Sequence, residues 1–403
     1  MKLVKSLLLG SAAGLVAVAG ASAADLGVKK PTAVEYVKTC PTYGAGFFVV
    51  PGTTSCLKLI GRVRLDYIFD NPRTNVQNSN RFRARGYVGF DHRTATEYGL
   101  LRTYVRAFFQ RENAVDSTTL EYAFIQFGGL TAGRVTPIFE HGWNQFYMFS
   151  GQGGIGYHSD ISYTNSIGYT QSFGGGFSAT IAIDDSRERR LAITGGTIGG
   201  ARMPDVVGSL AYDQSWGSLK LSGAVFQVRN ATPGLAVTSK YGFAVEGAAK
   251  FNLPMLTKGS NIWVAGGYSQ GSASYNGFGA FSMGSYTVAP VDAVVTAANT
   301  LKLTTSYAFM GALEVYFTPT ISASLGGTYA QFNPNGVNNT VRTYSVIGQV
   351  AWRPVAGFLI GVEGAYRKLS FDAGAATVTN TKGAGAAPKR DDFVGRIRFQ
   401  RDF

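Results

Sequence analysis

From residue 57 to the end of the chain, apolar and polar residues alternate in short stretches separated by polar, glycine-containing breaks. In Leu57–Phe69, one face holds Leu57, Leu59, Gly61, Val63, Leu65, Tyr67 and Phe69, and the other holds Lys58, Arg62, Arg64 and Asp66. Period two marks a strand whose faces meet different surroundings. Fifteen more segments read the same way: 81–90, 98–110, 119–128, 131–136, 161–170, 177–184, 206–214, 218–228, 241–252, 261–270, 303–317, 320–332, 342–352, 358–369 and 392–403. The last alternates up to a terminal aromatic: Phe393, Gly395, Ile397, Phe399 and Phe403 oppose Arg396, Arg398, Gln400 and Asp402.

The connections sort by length. Odd-numbered ones are long (70–80, 111–118, 137–160, 185–205, 229–240, 271–302, 333–341 and 370–391), and even-numbered ones, such as Asp91–Glu97 and Thr318–Pro319, are short. Long loops at one end and tight turns at the other, with an even strand number, is the arrangement of bacterial outer-membrane barrels. The predicted fold is all-β, a 16-stranded antiparallel transmembrane β-barrel with both termini on the periplasmic side. An arginine on the lipid face near the bilayer midplane costs roughly 2–4 kcal/mol, so the arginine-bearing faces point into a lumen. At about sixteen strands side chains cannot fill that lumen, and water does. Arg401, which shares the lipid-facing parity, falls at the rim, where the cost drops to about 0–1 kcal/mol.

Composition agrees with an all-β chain: 52 glycines, 21 tyrosines and 27 phenylalanines in 403 residues, with 15% charged. Lys2 and Lys5, an apolar run from Leu7 to Ala19 and Ala21-Ser22-Ala23 read as a cleaved signal peptide over residues 1–23. The later chain has no apolar run of 18 or more residues, which excludes a helical membrane span. Removing residues 1–23 leaves 35 basic against 24 acidic groups, a net charge of +11. Cys40 and Cys56, an even count in an exported chain, favour a disulfide within a periplasmic segment 24–56 that precedes the barrel at 57–403. Closing a loop of that size contributes about 3 kcal/mol in the chain-entropy model.

Two features narrow the hole. The third long connection contains Pro137-Ile-Phe-Glu-His-Gly-Trp-Asn-Gln-Phe-Tyr-Met-Phe-Ser150, aromatic enough to pack, and is expected to fold into the lumen; an outward loop packed on a neighbouring subunit is the other reading. Arg62, Arg64, Arg81, Arg83, Arg85, Arg102 and Arg106 come from three consecutive strands and are expected to form one basic patch. Local acids are too few to pair all seven, although Asp66 and Glu97 are candidate partners for single ones. Glu140 on the third loop, with Asp160, is expected to face the patch and set a transverse field.

Cys40-Pro-Thr-Tyr-Gly-Ala-Gly-Phe-Phe-Val-Val-Pro-Gly-Thr-Thr-Ser-Cys-Leu-Lys58 resembles the N-terminal signature of the porins of alphaproteobacteria. Glu121-Tyr-Ala-Phe-Ile-Gln-Phe-Gly-Gly-Leu-Thr-Ala-Gly133 is similar to that family's fourth-strand and turn motif, and the last strand also fits. The resemblance implies a sixteen-stranded homotrimeric general porin of the Gram-negative outer membrane, with the third loop folded into each pore. It also implies that Phe403 is read by the barrel-insertion machinery. Where the family often has an aromatic after Gly61, this chain has Arg62, and its third loop is poor in acids; both tilt the expected ion preference towards anions. Expected partners are outer-membrane lipid and lipopolysaccharide, further copies of the chain, and small hydrophilic solutes and ions. No nucleic acid partner, cofactor or metal is expected.

An enzyme would need a site. His92 falls in a predicted turn and His141 and His158 in the third loop, none within His-Glu-x-x-His, and no Gly-x-Ser-x-Gly occurs. Gly151-Gln-Gly-Gly-Ile-Gly156 matches a dinucleotide fingerprint without the βαβ unit that gives it meaning. A barrel anchoring an adhesin would want a passenger domain or large outer elaboration, and the longest predicted outer loop is only 271–302. A substrate-specific channel stays within the transport class.

Overall fold

The computed structural model of the protein describes residues 38–70, 78–143, 163–233, 239–283, 286–334, 340–372, 377–380 and 389–403. The expected leader at 1–23, Asp160, His158 and the glycine-rich 151–156 lie outside the described residues. Sixteen strands close into one antiparallel barrel: β1 (Cys56–Asp70), β2 (Asn80–Thr96), β3 (Gly99–Glu112), β4 (Val115–Phe127), β5 (Leu130–Val135), β6 (Thr164–Gly174), β7 (Phe177–Asp184), β8 (Asp205–Gln214), β9 (Gly217–Arg229), β10 (Ser239–Asn252), β11 (Asn261–Gln270), β12 (Thr305–Tyr316), β13 (Ile321–Asn333), β14 (Val341–Trp352), β15 (Phe358–Phe371) and β16 (Lys389–Asp402). The seam runs between β1 and β16, in register from Arg62↔Asp402 to Asp70↔Val394.

Alternation sets the two faces as the sequence predicts. Leu59, Val63, Phe82, Phe90 and Phe393 are exposed on the outer wall, whereas Arg64, Asp66, Arg83, Arg85, Arg396 and Arg398 are buried on the inner one. Closure leaves no unpaired edge, so backbone groups in the wall are satisfied between strands, as a bilayer requires. Arg401 is exposed at the turn end and donates to the carbonyl of Ala356. Phe403 continues the seam through backbone hydrogen bonds with Gly61 of 2.8 and 3.0 Å.

Two strand ends differ from the sequence reading. The expected long connection 111–118 is a two-residue turn, Asn113-Ala114, both residues with positive φ (52° and 62°). This is the geometry that matches hairpin twist. β3 and β4 run on past the apolar zone, carrying the exposed Arg111–Asp116 pair (2.8 Å), so their ends lack the apolar alternation that marks a membrane strand. At the other end β2 continues through Thr96, which places His92 in a strand, paired with Leu57, and not in a turn.

The longest connection, between β11 and β12, is not an outward elaboration. Phe278, Phe281, Met283, Tyr286 and Val288 pack against inward-facing Ala308, Ala330, Phe332, Val341 and Leu369. Its strand Val291–Val295 pairs in parallel with Ala192–Thr194 of the β7–β8 connection. Burying that much apolar surface holds the loop inside the barrel mouth, at about 25 cal/mol for each Å² removed from water.

One glycine is required by its neighbour. A Cβ on Gly395 would lie 1.7 Å from the Phe69 ring, which covers this glycine on the outer wall. We expect Gly395→Val to force the ring aside and lower stability by about 1–3 kcal/mol, the usual range for overpacking. Urea unfolding in detergent micelles measures it. If Phe69→Ala in the same chain does not recover most of the loss, the ring contact is not the cause.

Candidate functional site

The seven predicted arginines occupy three levels of one inner wall and do not form a single patch. At mid-height Asp66 stands in register with Arg83 on one side and Arg398 on the other. It accepts from Arg83 at 2.7 and 3.1 Å and from Arg398 at 2.6 and 3.2 Å, with Arg64 3.7 Å away. All of these side chains are buried. In the row next to it Arg64 opposes Arg85, whose guanidinium bonds Gln110 and Tyr87. Towards the long-connection end Arg81 pairs with Asp70 and Glu112.

Arg62, Arg102 and Arg106 belong to the third level, at the turn end. With Lys58 and Arg93 they line a cavity of about 710 Å³ whose side-chain carboxylates are Asp91 and Asp402 and which Phe403 also lines. Asp91 lies between Arg93 (2.8 and 3.0 Å) and Arg102 (2.9 and 3.0 Å). Arg62 pairs with Asp402 across the seam, and Arg106 with Glu121. Aromatic faces steady the guanidinium planes: Tyr87 under Arg62 (5.4 Å) and Arg106 (5.8 Å), Tyr104 under Arg102 (5.0 Å). Such contacts orient a cation without neutralising it.

The residues Cys40–Cys56, joined by the expected disulfide, complete this end. Phe48–Val49 pairs with the start of β1, and Tyr43 and Phe47 turn their rings to Arg93 at 5.7 and 4.8 Å. The hairpin thereby forms part of the lining of the barrel mouth.

Among the described residues six of the seven arginines form ion pairs, Arg64 and Arg83 sharing Asp66, and Arg85 forms none, so the acids pair most of the seven and not all. The acids come from places parity alone does not reveal. Asp91 lies in what reads as a turn, and Asp402 arrives across the seam. Glu121 sits at a bulge, where Arg106 opposes Tyr122 and Ala107 opposes Leu120. The extra residue turns both Glu121 and Tyr122 inward. Glu140, in turn, does not face the arginine wall. It bonds Arg189 at 3.2 Å, and its carbonyl accepts from Lys220.

The third loop nevertheless enters the lumen, as predicted. Phe139 is buried against Tyr275 (ring centroids 4.7 Å), His141 Nδ1 lies 3.2 Å from Glu246, and Trp143 packs on the inner cluster that includes Trp263 and Ile68. The rest of the loop lies outside the described residues.

A family model described as a porin subfamily matches residues 25–397. The chain belongs to this porin subfamily. It is 31% identical over 427 residues to porin Omp2b of Brucella canis, covering 99% of each chain, and equally so to porin Omp2b of Brucella abortus. Among solved structures it is similar to the outer membrane channel DcaP of Acinetobacter baumannii (TM-score 0.66, 14% identity, 88% of this chain and 99% of that one). It also resembles a porin of Comamonas acidovorans described as anion-selective (TM-score 0.53, 14% identity, 87% of this chain and 100% of that one). At these identities the likeness is one of fold. The porin is a channel protein of the Gram-negative outer membrane, not an enzyme.

Lys58 and Arg93 line the turn-side cavity and were not singled out by the sequence. Lys58 had the right parity but stood apart from the arginine run. Arg93 was hidden by ending the strand at Phe90.

Proposed function

We propose that this porin passes small hydrophilic solutes and ions by passive diffusion through a water-filled lumen, with a preference for anions set at the turn-side mouth. The observation that carries this reading is the cavity lined by five cationic side chains, Lys58, Arg62, Arg93, Arg102 and Arg106, against two side-chain carboxylates, Asp91 and Asp402. Ion pairing fixes the guanidinium groups; with Glu121 on Arg106 and the chain-end carboxylate of Phe403 counted beside Asp91 and Asp402, five cations against four anions leave one net positive charge at the mouth. The field of such a mouth reaches about 8 Å at physiological salt, enough to act across a passage of that width.

In this reading the turn end and the disulfide-bonded hairpin face the periplasm, the long connections face outward, and three copies assemble with one lumen each. Porins of this family are the natural precedent, and small outer-wall residues such as Gly247 and Gly364 permit close approach of barrels. The test is the reversal potential of the purified protein in a planar bilayer across a tenfold KCl gradient. We expect the anion side and an ohmic, unsaturating conductance. A reversal potential on the cation side overturns the preference, saturation by one solute replaces the general pore with a specific one, and the absence of current removes the channel reading.

A further inference from the structure

The β7–β8 connection makes two limbs at the long-connection end. The first contains the short 3₁₀ turn Ser186–Arg189, capped by the Asp185 side chain. The second extends the sheet above β9, where Ile198 bridges Asn230 and the Gly199 N–H donates to the Arg229 carbonyl at 2.7 Å. Between them lies a cavity of about 300 Å³, whose charged lining is Arg187, Arg190, Arg202, Arg229 and Asp292. On β9, Leu219, Leu221 and Val225 are exposed while Ala224, Phe226 and Val228 are buried, so Arg229 shares the outer-wall parity. The cavity has Arg229 on its outer side and Val228 with Arg190, stacked on Phe226 at 4.5 Å, on its inner side, and it shares no lining residue with the turn-side cavity.

Its charges are not balanced. Arg187 is matched by Asp185 (2.6 and 3.0 Å), and Arg190 by Asp205. Arg202 and Arg229 form no ion pair among the described residues. Two guanidinium nitrogens are also unspent. Arg190 Nη1 and Arg229 Nε are buried without a hydrogen-bond partner, and the Arg190 side chain is only 9% exposed. Leaving charged donors buried and unmet is costly, so each calls for a partner such as water, an ion or a ligand. Burial pushes the Asp292 carboxyl up to about 7. This weakens it as a counter-charge to the arginines.

We propose that this cavity binds a phosphate monoester carried on a sugar-sized group. A monoester holds roughly −1.5 to −2 charges at pH 7, which matches the two unpaired arginines. Its three terminal oxygens accept the forked, charge-assisted bonds that guanidinium groups offer and that a single ammonium does not. The volume stands at the lower end of small-molecule sites, room for a phosphate and about one sugar ring. A phosphosugar reaches this rim either as a free solute or as the head of an outer-leaflet glycolipid, and both present the same chemistry. The inference does not depend on which ion the pore prefers.

Full-length mature protein in detergent micelles, titrated calorimetrically with glucose 6-phosphate and with glucose, tests the free-solute arm. Detergent extraction from vesicles of phosphatidylcholine with a tenth part phosphorylated or dephosphorylated lipid A, followed by sizing, tests the lipid arm. We expect glucose to be ignored, and one phosphorylated probe to bind at least tenfold more weakly to Arg202→Gln/Arg229→Gln than to the parent, with conductance unchanged. Loss confined to glucose 6-phosphate assigns a solute site, and loss confined to lipid A a glycolipid site. Arg202→Gln alone, on an exposed loop, keeps the test open where the double variant fails to fold. Binding of neither probe, or equal binding to the parent and a folded variant, overturns the proposal.

Discussion

Asp66→Asn is expected to be the most damaging single substitution in the barrel wall. Asp66 is fully buried and is the shared acceptor of Arg83 and Arg398, with Arg64 beside it. The amide keeps the volume and removes the charge, leaving three guanidinium groups crowded in one desolvated region. Breaking a buried pair by removing one partner costs about 3–5 kcal/mol, because the remaining charge stays buried without compensation. Asp66 also sits next to the seam, since its partners lie on β2 and β16. The loss therefore falls on closure of the barrel as well as on the wall. Guanidinium unfolding of the refolded protein, with the heat-dependent mobility of the closed barrel as a second readout, measures it. Removing one cation together with the acid, as Asp66→Asn/Arg398→Gln, should recover part of the loss. A single-variant change below about 1 kcal/mol would show that water reaches the node and screens it.

Most of the barrel was legible because a bilayer enforces alternation. Every outward position in the apolar zone is constrained by lipid, so the parity of Leu59, Val63, Phe82 and Phe393 follows from energetics alone. The signal fades where the constraint ends. β2 beyond Phe90 and the β3–β4 hairpin at Asn113-Ala114 project out of the apolar zone, and their polar sequences read as turns or loops. Strict period two also fails at Glu121, because one extra residue reverses the parity of what precedes it. That bulge supplies the acid for Arg106, which the sequence left without a partner. The inward fold of the β11–β12 connection had a weaker sign. Phe278, Phe281, Met283 and Tyr286 are too apolar for a solvent loop, yet nothing in their spacing says which surface they cover.

The same wall gives the largest expected functional effect. Lys58 and Arg93 line the turn-side cavity without holding a row of the barrel together: Lys58 rests over the Phe47 ring at 5.9 Å, and Asp91 keeps Arg102 when Arg93 is changed. Lys58→Glu/Arg93→Glu turns five cations and two side-chain carboxylates into three and four, a change of four unit charges. At about 8 Å in water each unit contributes roughly 0.5 kcal/mol to a monovalent ion. Screening over one Debye length at 0.15 M leaves about a third of the sum, near 0.7 kcal/mol. Anions lose this and cations gain it, so the permeability ratio should move about tenfold towards cations, since 1.4 kcal/mol is a factor of ten. At 1 M salt, where the Debye length is about 3 Å, the same substitutions should shift the ratio less than twofold. Reversal potentials of parent and variant at the two ionic strengths decide the matter. A shift equally large at 1 M would mean that the mouth selects by direct ligation of ions. No shift at 0.15 M would move the selecting charges deeper, to Arg64, Arg83 and Arg85 near mid-height, where the wall is tightly buried.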